Sequence, residues 1–266
     1  MFDLYNYSLP TVFLIGLAAI LAAIEIGRVL GLRAAGQGGG TASETEDDNR
    51  ATLEGAVLGL LALMIAFTFA MALSRFEARR DAILSEANAI GTTALRARLL
   101  PEPHSTETLK LLKEYVKLRL DITQGLASSA ELAAAIDRSN TLQEALWQHA
   151  KAVAAKDNNM VPTGLFIQTL NEMIDNQGKR LAVFRNRVPN IVFLTLFGVA
   201  AVAHAFAGYA SGFAARSGRL PMYVAGFLVA AVILLIVDLD RPNAGLIEAS
   251  QQPMIDTAAS IAAFGK

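Results

Sequence analysis

The chain contains no cysteine, a single tryptophan and three histidines in 266 residues, and only 18% of its residues are charged. Without cysteine there is no disulfide framework, no thiol nucleophile and no thiolate metal site, and the redox compartment stays open. Net charge is −1, and the basic residues gather at the edges of apolar stretches instead of forming a patch interleaved with aromatics, so no nucleic-acid partner is expected. His104, His149 and His204 fall in a loop, a polar helix and an apolar run, with no HExxH or paired-ligand spacing. There is no P-loop and no GxSxG, and GQGGG at 36–40 lacks the strand and helix that flank a phosphate cradle. The chain is therefore read as not an enzyme, with no catalytic residue, no cofactor and no metal site expected.

What the sequence has in excess is hydrocarbon. Hydrophobic residues make up 53% of the chain and mean hydropathy is +0.40, too apolar for an ordinary soluble domain. The excess is concentrated at 11–30, 55–73, 191–209 and 221–237, each near the length that crosses a hydrocarbon core of about 30 Å. Continuous apolar runs, without period-two alternation, select helices over a barrel. The first run carries Asp3 in place of a basic start and exceeds a usual signal-peptide core, so it reads as a retained span.

The expected fold is all-α: four transmembrane helices with a helical cytoplasmic domain between spans 2 and 3. Residues 1–74 hold spans 1 and 2 joined by a flexible loop over 33–50, rich in glycine and then in acid. Residues 75–188 form the helical domain, 189–238 hold spans 3 and 4, and 239–266 form an amphipathic tail suited to a membrane surface or a neighbouring subunit. Helix formers without a break predict that span 2 continues to Pro101, and apolar residues at helical spacing predict further helices over 106–124, 129–156 and 164–187, with Ser128 or Ser129 as N-cap. Trp147 and Tyr115 are expected to pack in the core. Arg75, Arg79, Arg80, Lys179, Arg180, Arg185, Arg187 and Arg241 outnumber Arg28, Arg33, Arg50, Arg216 and Arg219 on the opposite side, which puts both termini and the domain in the cytoplasm of a bacterial inner-membrane protein.

Two segments carry a family resemblance: SRFEARRDAILSEANAIGTTALRARLLPEP at 74–103 and DLDRPNAGLIEASQQPM at 238–254. They resemble the bestrophin-like membrane proteins of bacteria and plants, and span order and spacing agree over nearly the whole chain. More distantly, Arg75, Phe76, Glu77 and Arg79 after span 2 are similar to the bestrophins proper, which are pentameric ion channels lined by their second helix. That resemblance implies a homo-oligomer, pentameric, with inorganic ions and the lipid bilayer as its other partners. It also implies that Phe67, by its distance from Arg75, holds an apolar neck position, with Leu63 one turn earlier. The acidic calcium site of the animal channels has no counterpart, because Asp238 and Asp240 are too few and differently placed.

At 100° per residue, span 2 has two stripes of its own. Gly55, Gly59, Ala62, Ala66 and Ala70 form a small-xxx-small surface for close helix packing in lipid. Beside it run Ala56, Leu60, Leu63, Phe67 and Ser74. Where identical helices meet through the small stripe, this second line faces the common axis and its Leu and Phe rings gate by dewetting. Glu54 then stands at the pore mouth. Arg75, Arg79, Arg80, Arg185, Arg187, Asp238, Asp240 and Arg241 are expected to form a cytoplasmic charge belt. Glu25 is expected to pair with Arg28, and His204 to hydrogen-bond across helices, both as structural elements. Four spans with an intervening helical domain also fit a non-conducting scaffold, signalling or stator-like module acting through a protein partner.

Overall fold

The computed structural model describes residues 4–37, 44–125, 129–213, 219–242 and 245–264. Eight α-helices account for most of them: α1 (Leu9–Gln37), α2 (Glu44–Ala97), α3 (His104–Gly125), α4 (Ser129–Ala154), α5 (Leu165–Arg185), α6 (Asn190–Phe213), α7 (Arg219–Asp240) and α8 (Gln252–Ala263). No strand occurs among the described residues, so the fold is all-α. Among the described residues, α1, α2, α6 and α7 are the helices long and apolar enough to cross a bilayer.

Two boundaries differ from the sequence expectation. The loop expected over 33–50 is helix at both its ends, where α1 continues to Gln37 and α2 begins at Glu44, and its middle, 38–43, lies outside the described residues. Acidic residues at 44–48 suit a helix N-terminus, where the macrodipole favours negative charge. The other difference lies between α5 and α6, where the chain leaves the helix at Asn186–Pro189. Pro189 pushes Val188 out of the helical region, so the domain helix does not run into the span.

The chain divides into two compact units, Met1–Phe76 with Arg187–Glu248, and Glu77–Asn186 with Ala249–Lys266. In the first unit, the main contact is α1 on α6. Two glycines four residues apart on each helix permit it. A Cβ added at Gly27 or Gly31 would stand 2.0 or 2.2 Å from the carbonyl oxygens of Ala205 and Tyr209. One added at Gly208 or Gly212 would stand 2.2 or 2.3 Å from those of Ile24 and Arg28. The backbones themselves are in contact, so any side chain at these positions forces them apart. Ile20, Ile24, Phe193, Leu196, Ile233 and Ile236 fill the core between α1, α6 and α7. Gly208→Ala should therefore destabilise the unit by about 1–3 kcal/mol through overpacking, read as a lowered thermal midpoint in detergent.

The second unit is a helical bundle with its own core, including Ile90, Leu112, Tyr115, Leu146, Phe166 and Met173, all fully enclosed. Tyr115 is core as expected, and Trp147 packs at the core's edge. α8 corrects the reading of the tail. Met254 and Ile261 are completely buried in this core, with Ala258 and Phe264 beside them, so the apolar face of α8 is spent on the bundle and not on a membrane surface. Glu86 of α2 lies at the centre of a buried ionic cluster. It accepts from Arg119 Nε at 2.6 Å and from Arg180 Nη1 at 2.6 Å, while Arg180 Nη2 donates to Gln251 Oε1 at 3.0 Å just before α8. Alongside, the Tyr115 hydroxyl donates to Gln177 Oε1 at 2.7 Å. Burial, and then the nearby Glu86 carboxylate, push the Tyr115 phenol well above its usual range.

Candidate pore-lining span and its surroundings

Span 2 is the least covered of the four: 17% of its most apolar stretch is buried, against 22%, 33% and 28% for α1, the α6 segment and α7. What it does bury is one line. Leu61, Thr68 and Ala72 are buried, and Val57, Met64, Ile65 and Phe76 pack partly against the core of the first unit. At 100° per residue this line lies roughly opposite the bisector of the small stripe and the Leu/Phe line. Gly55, Gly59, Ala62, Ala66 and Ala70 are all exposed, and so are Ala56, Leu60, Leu63, Phe67 and Ser74. Leu63 is 52% and Phe67 65% exposed, the highest value for any phenylalanine among the described residues. Thr68 spends its hydroxyl within the helix, donating to Met64 O at 2.7 Å.

Gly55 and Gly59 of this span differ from the four glycines at the α1–α6 crossing. A Cβ built at Gly55 or Gly59 meets nothing within 4 Å, whereas Gly27, Gly31, Gly208 and Gly212 are consumed by the α1–α6 crossing. Exposed faces of α1, α6 and α7 present bulky residues such as Ile15, Ile26, Leu194, Phe227 and Leu228. Small residues are uncovered elsewhere too, Gly198 on α6 and Ala18 and Ala22 on α1, but the five-residue stripe of α2 is longer than either.

At the other candidate positions, Glu54 is half-buried beside Leu53, Phe206, Tyr209 and Ala210, in a cleft of about 60 Å³. Glu25 accepts from the Tyr223 hydroxyl, a partner on α7 that the expected pairing with Arg28 did not include. His204 is buried, but its Nδ1 donates to Ala200 O at 2.8 Å, one turn back in α6, so its bond is intrahelical and not between helices.

The proposed charge belt falls in both units, and each part has its own partners. In the first, Asp238 accepts from the backbone N–H of Leu246 at 2.8 Å and of Ile247 at 3.1 Å, which turns the chain after α7. Asp240 accepts from the Tyr5 hydroxyl and from Val188 N at 2.8 Å, while Arg241 Nη2 donates to Tyr7 O at 2.7 Å. Arg187 lies over the Tyr5 ring at 4.8 Å. Burial and the bond to Asp240 raise the Tyr5 phenol far above its ordinary value. Arg75 is half-buried, with its Nη1 enclosed and lacking a hydrogen bond. In the second unit Arg79 is buried, while Arg80 and Arg185 are exposed.

A family model for the bestrophin-like domain matches residues 36–254. The chain belongs to the bestrophin-like family. Among solved structures, this bestrophin-like chain is similar to a bacterial bestrophin homologue from Klebsiella pneumoniae phased with zinc: 14% identity, TM-score 0.65, covering 94% of this chain and 96% of that one. Two single-substitution forms of that homologue give 15% identity with TM-score 0.67 (96% and 98% covered) and 13% with 0.66 (93% and 99%). At this identity the likeness establishes the fold. No curated protein matches the sequence.

Several positions that organise this bestrophin-like fold went unmarked in the sequence reading. Gly27/Gly31 and Gly208/Gly212 are each a GxxxG pair at the end of an apolar run, a signal present in the sequence itself. Glu86 and Arg119 gave none, because a charged residue on a long polar helix resembles a solvated one until its partner is placed.

Proposed function

We propose that the protein is a homo-oligomeric, pentameric ion channel of the bacterial cytoplasmic membrane, with both termini and the helical domain in the cytoplasm. α2 lines the pore. The observation that carries this reading is the uncovered glycine and alanine stripe of α2, set against Gly27, Gly31, Gly208 and Gly212 of α1 and α6, which are already used within the chain. In lipid, small residues stabilise a helix surface by letting another backbone approach, and facing acyl chains they gain nothing over leucine. With copies of α2 packed through that stripe, the adjacent line turns Leu60, Leu63 and Phe67 to the axis, and rings of such residues exclude water until the throat widens. Membership of the bestrophin-like family and the likeness to bestrophin homologues support the same assembly.

Reconstitution into planar bilayers tests the reading: purified protein is expected to give discrete single-channel currents. Silence across voltage, salt composition and pH would leave the scaffold or stator-like alternative in its place. The assembly surface is tested separately. Gly59→Leu should leave the protomer folded, since its Cβ meets open space, yet shift the particle to smaller species by light scattering in detergent. An unchanged particle mass would assign the small stripe to lipid.

A further inference from the structure

His104 and His149 are 45 residues apart in sequence, and the second unit brings them face to face. Their Nδ1 atoms stand 3.1 Å apart, with ring planes at 74° and centroids 5.4 Å apart. His104 opens α3, and the buried Ser105, Thr108 and Leu112 that follow fix its place. His149 lies on α4 between Leu146, Ala150 and Val153, which are buried in the core of the same unit. Both residues are half-buried, so the pair is not sealed inside the core.

We propose that this pair is a two-imidazole binding site for a divalent cation of the zinc or copper class. The separation fits. A metal about 2.0–2.1 Å from each imidazole nitrogen would see two nitrogens 3.1 Å apart at roughly 95–102°. That angle lies between the ~90° of tetragonal copper and the ~109° of tetrahedral zinc. The ion takes the place of the hydrogen bond between the two Nδ1 atoms: the donor ring carries its one proton on Nε2 instead, so both imidazoles stay neutral and no net proton is released. No third His, Cys, Asp or Glu completes a cluster among the described residues, so the remaining positions belong to water, and the site is a reversible one and not a structural zinc centre. Because neutral imidazole is the ligand, binding weakens on acidification. A bound ion ties the start of α3 to the end of α4, and this holds whether or not α2 lines a pore.

Trp147, the only tryptophan in the chain, lies two residues from His149 and reports the site. Full-length protein in detergent is titrated with Cu(II) alone, a paramagnetic quencher of nearby indole fluorescence. One saturable quenching phase with a stoichiometry of one per chain is expected. His104→Gln and His149→Gln are each expected to weaken it about 100-fold or more, because either change removes the chelate and leaves a single ligand. His204, buried in α6, stays intact in both and serves as the internal control. Helical circular dichroism establishes that the variants are folded. Absence of a saturable phase in the unaltered protein overturns the proposal, as do folded single variants that keep the original affinity.

Discussion

Phe67→Ala should raise single-channel conductance about tenfold or more, equivalent to about 1.4 kcal/mol removed from the barrier to permeation. Phe67 is 65% exposed in the protomer, so removing its ring opens no cavity in the chain's own core. The substitution changes only the surface that faces lipid or the proposed axis. On the axis, replacing a ring of benzyl groups by methyls widens the throat and lets water stay, which lowers the cost of moving an ion through it. Leu63→Ala, one turn away and 52% exposed, should act in the same direction with a smaller step, and the double variant should exceed either. Planar-bilayer recording of the three variants at matched ionic strength checks the order. Conductance indifferent to Phe67 would place it on the lipid side of α2.

The second large effect is on stability. Glu86→Ala should destabilise the second unit by about 3–5 kcal/mol, since one partner of a buried ionic cluster is removed and the others stay behind. Glu86 is fully enclosed and is shared by Arg119 and Arg180, whose contacts are 2.6 Å each. Arg119 Nη1 already lacks a hydrogen-bond partner, so the cluster has no reserve acceptor for a stranded guanidinium. Arg180 also donates to Gln251, so loosening should spread to α8 at once. Glu86→Gln keeps an acceptor oxygen while losing the charge, and should fall between the two. Denaturant unfolding followed by Trp147 fluorescence and by helical dichroism measures this, and a loss under about 1 kcal/mol would mean that the two arginines find other acceptors.

The sequence made legible what depends on local pattern. Four apolar runs of membrane-spanning length, and an unbroken run of helix formers carrying α2 past the bilayer, needed no knowledge of partners. The two stripes of α2 were equally readable, because angular position on a helix follows from residue number alone. What escaped depends on contacts between distant residues. α8 has an amphipathic face that a bilayer or a protein core satisfies equally well, and only the buried Met254 and Ile261 decide between them. His104 and His149 looked scattered until the second unit closed 45 residues of chain between them. His204 announced a polar group in a span without saying that its own helix would satisfy it. The glycine pairs of α1 and α6 were visible, yet composition gives no hint that these, and not the α2 glycines, are the ones consumed within the chain.

The central claim is that copies of α2 meet around a common axis, and particle imaging of the purified protein in lipid nanodiscs tests it most directly. The account predicts a five-fold particle with α2 nearest the axis, Gly55 and Gly59 against the neighbouring helix and Phe67 pointing inward. A monomer, or an oligomer whose axis is lined by α1, α6 or α7 with α2 facing lipid, would contradict it.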